Sequence, residues 1–550
     1  MIRFFTTSAT EKVFLTKEPR PQEGPVFLFA KEDACIGLCI RTDEVLTDAS
    51  FGFSGGPAAR HIRVQRVGLV PAPYTCPGLP DDGYDFSPDG LYPDVLEDCD
   101  PSRLGLCHHR PDINHAFFLT ISDSDKIAPG DHTVTVRLCN GGRQMAKTSF
   151  VLRKLAVRLP EKKCISTAWM HYDSFITQHH VRLFTKDFYK LFASYLDAAV
   201  YSGQDMLLVP LFTPAFDTQI GYERKTAQLL DIREDENGNF SFDFTAMHRF
   251  ISFVRERGIR YLEMPPLFTQ WGALCAPKIM VKNTRGRLVR RFGWHTDSLS
   301  EEYRRFLTAL LPALNRELRS IGMEENTFFH ISDEPTLDHL ERYTLCKALV
   351  LPLLGKSRTL DACSHVEFAG KSDREYAVCL ESSLHAFRDA GVLPLCTYYC
   401  CAPFGDYYPN RLLAQPLSRE IVLGAALYRY DISLFLHWGF NFYNSTLSRR
   451  AICPYGNTDA DYQFPAGDSF IVYPDYAGFG ANHSLRLVGM RLCFRLLRML
   501  TLLEELAGRD YVLALLDREG YTDINVYPRK ADAVDRLFSL LSEEIAARIS

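Results

Sequence analysis

Apolar and polar positions alternate over short distances in the first 158 residues, and no sustained helical period is present there. Strand-like segments such as HIRVQRVGLV and HTVTVRLCN are separated by turn-forming clusters such as PGLPDDGYDFSPDG. Many short strands between turn signals are typical of two packed antiparallel sheets. The pattern therefore predicts an N-terminal β-sandwich domain over residues 1–158.

After Pro160 the pattern changes, because short apolar segments now alternate with longer segments of helical period. The pattern predicts eight strands: Ile165–Met170, Met206–Pro210, Tyr261–Met264, Thr327–Ile331, Thr359–Cys363, Tyr376–Leu380, Leu393–Tyr399 and Ser433–Trp438. It also predicts helices between most of them: Lys186–Ser202, Thr245–Arg257, Glu301–Ile321, Leu337–Leu354 and Ser418–Arg429. This alternation favours a (β/α)₈ barrel over residues 159–510, with a doubly wound open sheet as the alternative.

The chain after the eighth predicted strand contains a long loop and two helices. Residues 444–483 are rich in Gly, Pro, Asp and Tyr and are predicted as a loop. A helix at Ser484–Ala507 would close the barrel, and residues 511–550 are predicted as a C-terminal helical extension with Asp532–Ile549 as its most amphipathic part. The expected fold class is therefore multidomain α/β, with a sandwich, a barrel and a helical extension.

Composition and charge exclude several functional classes. Hydrophobic residues make up 46% of the 550 residues, which is enough for packed cores, and the net charge of −5 argues against a nucleic-acid partner. The longest apolar runs, such as Leu345–Leu354, are too short to span a membrane. The N-terminal segment MIRFFTTSATEKVFL lacks the apolar core of a signal peptide, so we expect a cytoplasmic location.

The 16 cysteines are scattered and often lie within apolar segments, as free buried thiols do. They do not form the paired CxxC spacing of a zinc finger. Cys400 and Cys401 are adjacent, and Cys107 is followed by His108 and His109, but chance adjacency is the favoured interpretation of both groups. We therefore expect neither a metal nor another cofactor.

Two neighbouring carboxylates, Asp333 and Glu334, follow the fourth predicted strand in the segment HISDEP. Active sites of (β/α)₈ barrels lie at the C-terminal ends of the strands, so the two acids are a candidate catalytic pair. Side chains of adjacent residues diverge, which lets the two acids take different roles on one substrate. The alternative is structural, since Asp is a common helix N-cap and Pro is favoured in the first helical turn.

The tryptophans Trp169, Trp271 and Trp438 lie at or after predicted strand ends, and Trp294 lies in the long loop after the third strand. Sugar rings stack on such flat apolar platforms, so this distribution favours a carbohydrate site, although each Trp could instead plug the barrel. The other candidate substrate contacts are His171, His330, Tyr398, Asn441 and Tyr443. No HExxH or GxSxG motif supports metal or serine chemistry.

From about Cys164 to Leu487 the chain resembles glycoside hydrolase family 123, which overlaps the DUF4091 domain family. The shared motifs are WMHYD, WGALCAPKI, HISDEP, HWGFNFYN, and GDSFIVYP followed by SLRL. The resemblance implies a sandwich followed by a barrel and a retaining, substrate-assisted β-N-acetylgalactosaminidase activity. It implies that Asp333 orients and polarises the acetamido nitrogen, and that Glu334 is the general acid and then the general base.

We therefore expect a glycoside hydrolase that releases a terminal β-linked N-acetylhexosamine, with GalNAc preferred, from an oligosaccharide or glycoconjugate. One departure is the stretch VGMRLCFRLLRML after SLRL, which lacks the acidic pair of many DUF4091 members. Two alternatives remain. The protein could be a non-catalytic carbohydrate-binding protein, or a glycosidase whose nucleophile is Glu263 or Glu381 paired with Glu334. The oligomeric state is not predicted.

Overall fold

The computed structural model describes residues 2–106, 113–370 and 372–549, so Cys107, His108 and His109 lie outside the described residues. The N-terminal strands are β1 (Ile2–Thr7), β2 (Val26–Leu28), β3 (Asp33–Thr42), β4 (Ala49–Ser54), β5 (Ile62–Pro71), β6 (Leu91–Asp98), β7 (Asn114–Ser122), β8 (Gly130–Asn140) and β9 (Arg143–Lys154). They form two sheets, β1-β3-β7-β5-β6 and β2-β9-β8-β4. Alternate residues of β8, such as Val134 and Val136, pack in one core with Leu38 and Phe117 of the other sheet. The predicted N-terminal sandwich is confirmed.

The remaining strands are β10 (Ile165–Ala168), β11 (Met206–Leu208), β12 (Asp231–Glu234), β13 (Phe240–Asp243), β14 (Tyr261–Met264), β15 (Ile279–Lys282), β16 (Leu288–Phe292), β17 (Thr327–Phe329), β18 (Arg358–Cys363), β19 (Glu375–Leu380), β20 (Cys396–Tyr398), β21 (Leu434–His437), β22 (Tyr473–Asp475) and β23 (Gly480–Ser484). Within the described residues, eight of them form a parallel sheet in the order β10-β21-β20-β19-β18-β17-β14-β11. The first strand, β10, pairs with the last, β21. This pairing confirms the predicted barrel and excludes the doubly wound alternative.

The helices are α1 (Asp173–His179), α2 (Lys186–Ser202), α3 (Thr245–Arg255), α4 (Glu301–Ser320), α5 (Leu340–Val350), α6 (Leu384–Asp389), α7 (Leu417–Ile421), α8 (Leu423–Arg429), α9 (Leu485–Ala507), α10 (Arg509–Arg518) and α11 (Ala533–Ile549). The last two form the expected C-terminal helical extension. Among the described residues, no helix is both long enough and apolar enough to cross a membrane.

Helix α2 shows why the local sequence adopts this fold. Thr185 caps its N-terminus by accepting a hydrogen bond from the Phe188 backbone nitrogen, and Gly203 ends it with a φ of 103°. Phe188, Phe192 and Tyr195 lie on one helical face and are buried, so packing against the barrel stabilises the helix.

Two features differ from the sequence-based expectation. Strands β12, β13, β15 and β16 form a small additional sheet in the loops after β11 and β14. Strands β22 and β23 lie mostly within residues 444–483, so the prediction of a loop is wrong for this part. Strand β23 pairs with β6 and extends the first sheet of the sandwich. These strands are short, and their pairing depends on distant segments that local patterns do not reveal.

Candidate active site

The C-terminal ends of the barrel strands surround a cavity of about 130 Å³. Its wall carries the aromatic rings of Trp169, Phe216, Trp271, Tyr398, Trp438 and Phe464. It also carries the carboxyl groups of Asp217, Asp333, Glu334 and Asp468. An apolar cavity with a few convergent polar groups at this end of a barrel is the usual position of an active site.

A larger cavity of about 420 Å³ lies between the N-terminal domain and helices α9 and α11. One of its acids, Asp535, accepts hydrogen bonds from Ser8 Oγ (2.7 Å) and Thr10 Oγ1 (2.9 Å). These bonds join the C-terminal extension to the sandwich, so this cavity is a junction between domains. The strand-end cavity is therefore the candidate active site.

The loop that carries Asp333 and Glu334 is held by Asp361 of β18. Asp361 Oδ1 accepts hydrogen bonds from the backbone nitrogens of Ile331 (2.9 Å) and Ser332 (3.2 Å). Glu334 has a φ of 41°, in the left-handed region that non-glycine residues rarely adopt. The following helical turn is capped by Thr336, so neither acid caps a helix. The surrounding contacts thus fix both acids at the cavity wall.

The two acids differ in their surroundings. Tyr398 Oη donates a hydrogen bond of 2.6 Å to Glu334 Oε1. Burial, followed by repulsion from the neighbouring Glu334, raises the pKa of Asp333 well above its usual range. The raised pKa means that Asp333 tends to retain its proton in the free protein. Such a pair can both donate and accept a proton at neutral pH.

Two more acids in the cavity wall were not predicted from the sequence. Asp468 Oδ2 accepts a 3.0 Å hydrogen bond from Trp438 Nε1, and burial raises the pKa of Asp468 to about 7. Asp468 Oδ1 has no hydrogen-bond partner among the described residues. Asp217 accepts a 2.8 Å hydrogen bond from the Leu447 nitrogen, and burial raises its pKa to about 6. The motif GDSFIVYP was a signal for Asp468, whereas Asp217 had no such signal.

Glu263, one of the two rival nucleophiles, lies inside the barrel rather than in the cavity wall. Its carboxylate accepts hydrogen bonds from Thr167 Oγ1 (2.6 Å), Trp169 Nε1 (2.6 Å) and His330 Nε2 (2.5 Å). Burial alone would lower the pKa of His330, but the nearby carboxylates of Asp361 and Glu263 raise it to about 10. Glu263 therefore holds His330 and Trp169 in place.

Glu381, the other rival nucleophile, does not line the cavity. It is buried, and burial raises its pKa well above the usual range. Neither of the residues proposed as a conventional nucleophile thus faces the site.

Trp294 also lies apart from the cavity. Its Nε1 donates a 3.0 Å hydrogen bond to the Tyr222 carbonyl oxygen.

His171, Asn441 and Tyr443 lie behind the cavity wall. His171 Nε2 is 2.9 Å from the Trp438 carbonyl oxygen, and Asn441 Oδ1 accepts a 2.7 Å bond from the His171 nitrogen. Burial and the adjacent Arg224 lower the pKa of His171 to about 3. The predicted substrate contacts therefore separate into those in the wall (Trp169, Trp271, Tyr398 and Trp438) and those buried behind it (His171, His330, Asn441 and Tyr443).

Within the described parts of the chain, no group of three or more His, Cys, Asp or Glu side chains is arranged to hold a metal ion.

Residues 169–503 match the family model described as glycoside hydrolase 123, catalytic domain. The chain belongs to glycoside hydrolase family 123. This membership supports glycosidase activity and a carbohydrate substrate. The matched segment contains Asp333, Glu334 and every other residue of the cavity wall.

A solved structure of a family 123 glycoside hydrolase from Clostridium perfringens has the same fold, with a TM-score of 0.70 and 14% sequence identity. The alignment covers 100% of this chain and 98% of that one. A xyloglucanase of family 5 from Bacteroides ovatus has a TM-score of only 0.29 at 9% identity, covering 86% of this chain and 98% of that one. No curated protein sequence matches this chain.

Proposed function

We propose that this family 123 member hydrolyses terminal β-linked N-acetylhexosamines, with GalNAc preferred, by a retaining, substrate-assisted mechanism. The observation that carries the proposal is the pair Asp333–Glu334 at the mouth of the barrel, beside aromatic walls. The Clostridium perfringens relative is described as hydrolysing glycolipid glycans. By analogy, the glycan end of a glycoconjugate is the substrate class that we propose here.

The proposed reaction begins with the sugar's 2-acetamido group beside Asp333. An ionised Asp333 accepts a hydrogen bond from the acetamido N–H group, which stabilises the positive charge that develops there. The acetamido oxygen then attacks the anomeric carbon, so the enzyme needs no carboxylate nucleophile. The placement of Glu263 inside the barrel and of Glu381 outside the cavity wall is in line with this.

Glu334 acts as the general acid and then as the general base. It must protonate the glycosidic oxygen as the bond breaks, and then remove a proton from the water that opens the oxazolinium intermediate. When the acetamido N–H binds Asp333, it favours the ionised form of that carboxyl, and the mechanism requires Glu334 to carry the catalytic proton. The hydroxyl of Tyr398, which bonds to Glu334 Oε1 in the free enzyme, can then donate to the acetamido oxygen.

Aromatic side chains would hold the sugar ring. Trp169 and Phe216 stack on each other, with ring centroids 3.8 Å apart, and both border the cavity. Trp438 presents a half-buried ring next to Phe464, with centroids 5.2 Å apart. Such walls match the apolar faces of a sugar and leave its hydroxyl groups to bond the acids.

The test compares p-nitrophenyl β-glycosides of GalNAc, GlcNAc and galactose. We expect turnover of the first two with a preference for GalNAc, and a β-configured first product by NMR. Turnover of the galactoside alone would exclude the participation of an acetamido group. Inversion at the anomeric carbon would exclude the double displacement.

A further inference from the structure

Two adjacent cysteines lie in the wall of the strand-end cavity, in which the sugar would bind. Cys400 and Cys401 follow strand β20, just after Tyr398, and both line the cavity that holds Asp333 and Glu334. Their Sγ atoms are 3.8 Å apart, and both thiols are free. The loop is held in place because Asn410 Nδ2 donates a 2.8 Å bond to the Cys400 carbonyl oxygen. The two sulfurs are therefore held side by side.

This geometry disfavours a direct disulfide. The Cα atoms of neighbouring residues are about 3.8 Å apart across a trans peptide. A relaxed disulfide needs Cα atoms about 4.4–6.8 Å apart and sulfurs about 2.0 Å apart. A larger atom that bonds to both sulfurs needs no such approach. The pair is therefore suited to a bridging ligand.

The neighbouring groups define the ligand further. Other groups near Cys400 and Cys401 in the cavity wall include carboxylates, which are hard ligands. Within the described residues, no third side chain completes a metal site with the two cysteines. The ligand must therefore be soft and must need only two protein sulfurs. A monosubstituted trivalent arsenical meets both conditions, because its carbon substituent fills the third position of arsenic.

We propose that Cys400 and Cys401 form a two-sulfur site for monosubstituted trivalent arsenicals and that its occupation blocks the sugar cavity. In the reaction, R–As=O and two thiols give one arsenic bonded to both sulfurs. The two thiol protons leave with the arsenical oxygen as water, and arsenic remains trivalent. The hydrogen-bonded Cys401 thiol, followed by burial, raises the pKa of Cys400, which slows its reaction with reagents that need a single thiolate.

The experiment adds phenylarsine oxide to the full chain and measures the adduct by intact mass after a wash with excess monothiol. We expect one bridged adduct that survives the monothiol wash and that 2,3-dimercaptopropanol removes. Cys400→Ser and Cys401→Ser should each lose the wash-resistant adduct. Cys400→Ala provides a second variant if the serine introduces strain. The control is Cys453→Ser, since Cys453 is exposed and lies outside the cavity wall.

The expected loss of turnover rests on the proposed function, whereas the expected formation of the bridged adduct does not. We expect the bridged wild type to lose most of its turnover of p-nitrophenyl β-GalNAc and to regain it with the dithiol. Each variant is compared with its own untreated activity. An adduct that persists in both cysteine variants, or that the monothiol removes from the wild type, would overturn the two-sulfur site. Full turnover by the bridged enzyme would overturn the proposed blocking of the cavity. If the untreated protein has no turnover but still forms the bridged adduct, only the proposed function is refuted.

Discussion

Tyr398 donates a 2.6 Å hydrogen bond to Glu334, so a residue of β20 contacts the proposed proton donor on the loop after β17. Both residues line the cavity in which the sugar would bind. We therefore expect the hydroxyl of Tyr398 to contribute to catalysis rather than to stability alone.

Tyr398→Phe should lower kcat/KM on p-nitrophenyl β-GalNAc by about 10- to 100-fold, because Glu334 becomes charged as it gives up its proton and a hydrogen bond to a charged group contributes about 1.5–3 kcal/mol. The matched control is Tyr511→Phe, which removes a 2.7 Å bond to Glu544 in the C-terminal helices. It should leave kcat/KM unchanged. Equal losses in both variants would assign the effect to folding.

Glu334→Gln should lower kcat by about 10²–10⁴-fold, since it removes a general acid, while KM changes little. Glu341→Gln, at an exposed position on α5, is the charge-matched control and should retain activity. Steady-state kinetics on p-nitrophenyl β-GalNAc provide the measurement. Wild-type protein that binds GalNAc without turnover would instead support a carbohydrate-binding role.

Asp468→Asn should change the pH dependence of stability. Burial raises the pKa of Asp468 to about 7, so the folded state retains a proton that the unfolded state has already lost above about pH 4. Because of this group, the stability of the wild type falls as the pH rises from about 4 to about 7. Above pH 7 the loss of stability caused by this group stays constant. The Tm of the variant relative to wild type should thus rise from pH 4.5 to pH 7.5. A pH-independent difference in Tm would show that Asp468 has no raised pKa.

Arg486→Met should destabilise the junction between the sandwich and the barrel. Arg486 of α9 bonds to Asp94 of β6 (2.8 Å) and to the Phe470 carbonyl oxygen (2.7 Å), close to Asp468. Leaving a buried charge unpaired costs about 3–5 kcal/mol. Urea denaturation measures the free energy of unfolding. The control is Asp98→Asn, which breaks an exposed pair with Arg63 at the end of β6 and should cost less than about 1 kcal/mol.

The barrel and the position of the proposed catalytic pair could be predicted because their signals are local. Each strand is a short apolar segment between turn signals, and the position of Asp333 after β17 follows from that pattern alone. Asp217 could not be found in this way. Its carboxylate accepts a hydrogen bond from the backbone nitrogen of Leu447, which is distant in the sequence, and local patterns do not reveal such a contact. Pairing of β23 with β6 likewise depends on segments far apart in the chain.

His330 shows a different limit. It precedes the proposed catalytic pair by only a few residues, so its position in the sequence suggested a substrate contact. Its ring instead turns towards the barrel interior and bonds to Glu263. The direction of a side chain at a strand end depends on the pleat and on a partner from another strand. A sequence pattern specifies neither of them.

The most direct test of the substrate-assisted mechanism is a crystal structure with a GalNAc-derived thiazoline, which mimics the oxazolinium intermediate. We predict that its ring lies between Trp169 and Trp438, with its nitrogen within hydrogen-bonding distance of Asp333 and its anomeric carbon near Glu334. A thiazoline bound outside this cavity, or with its nitrogen turned away from Asp333, would contradict the mechanism.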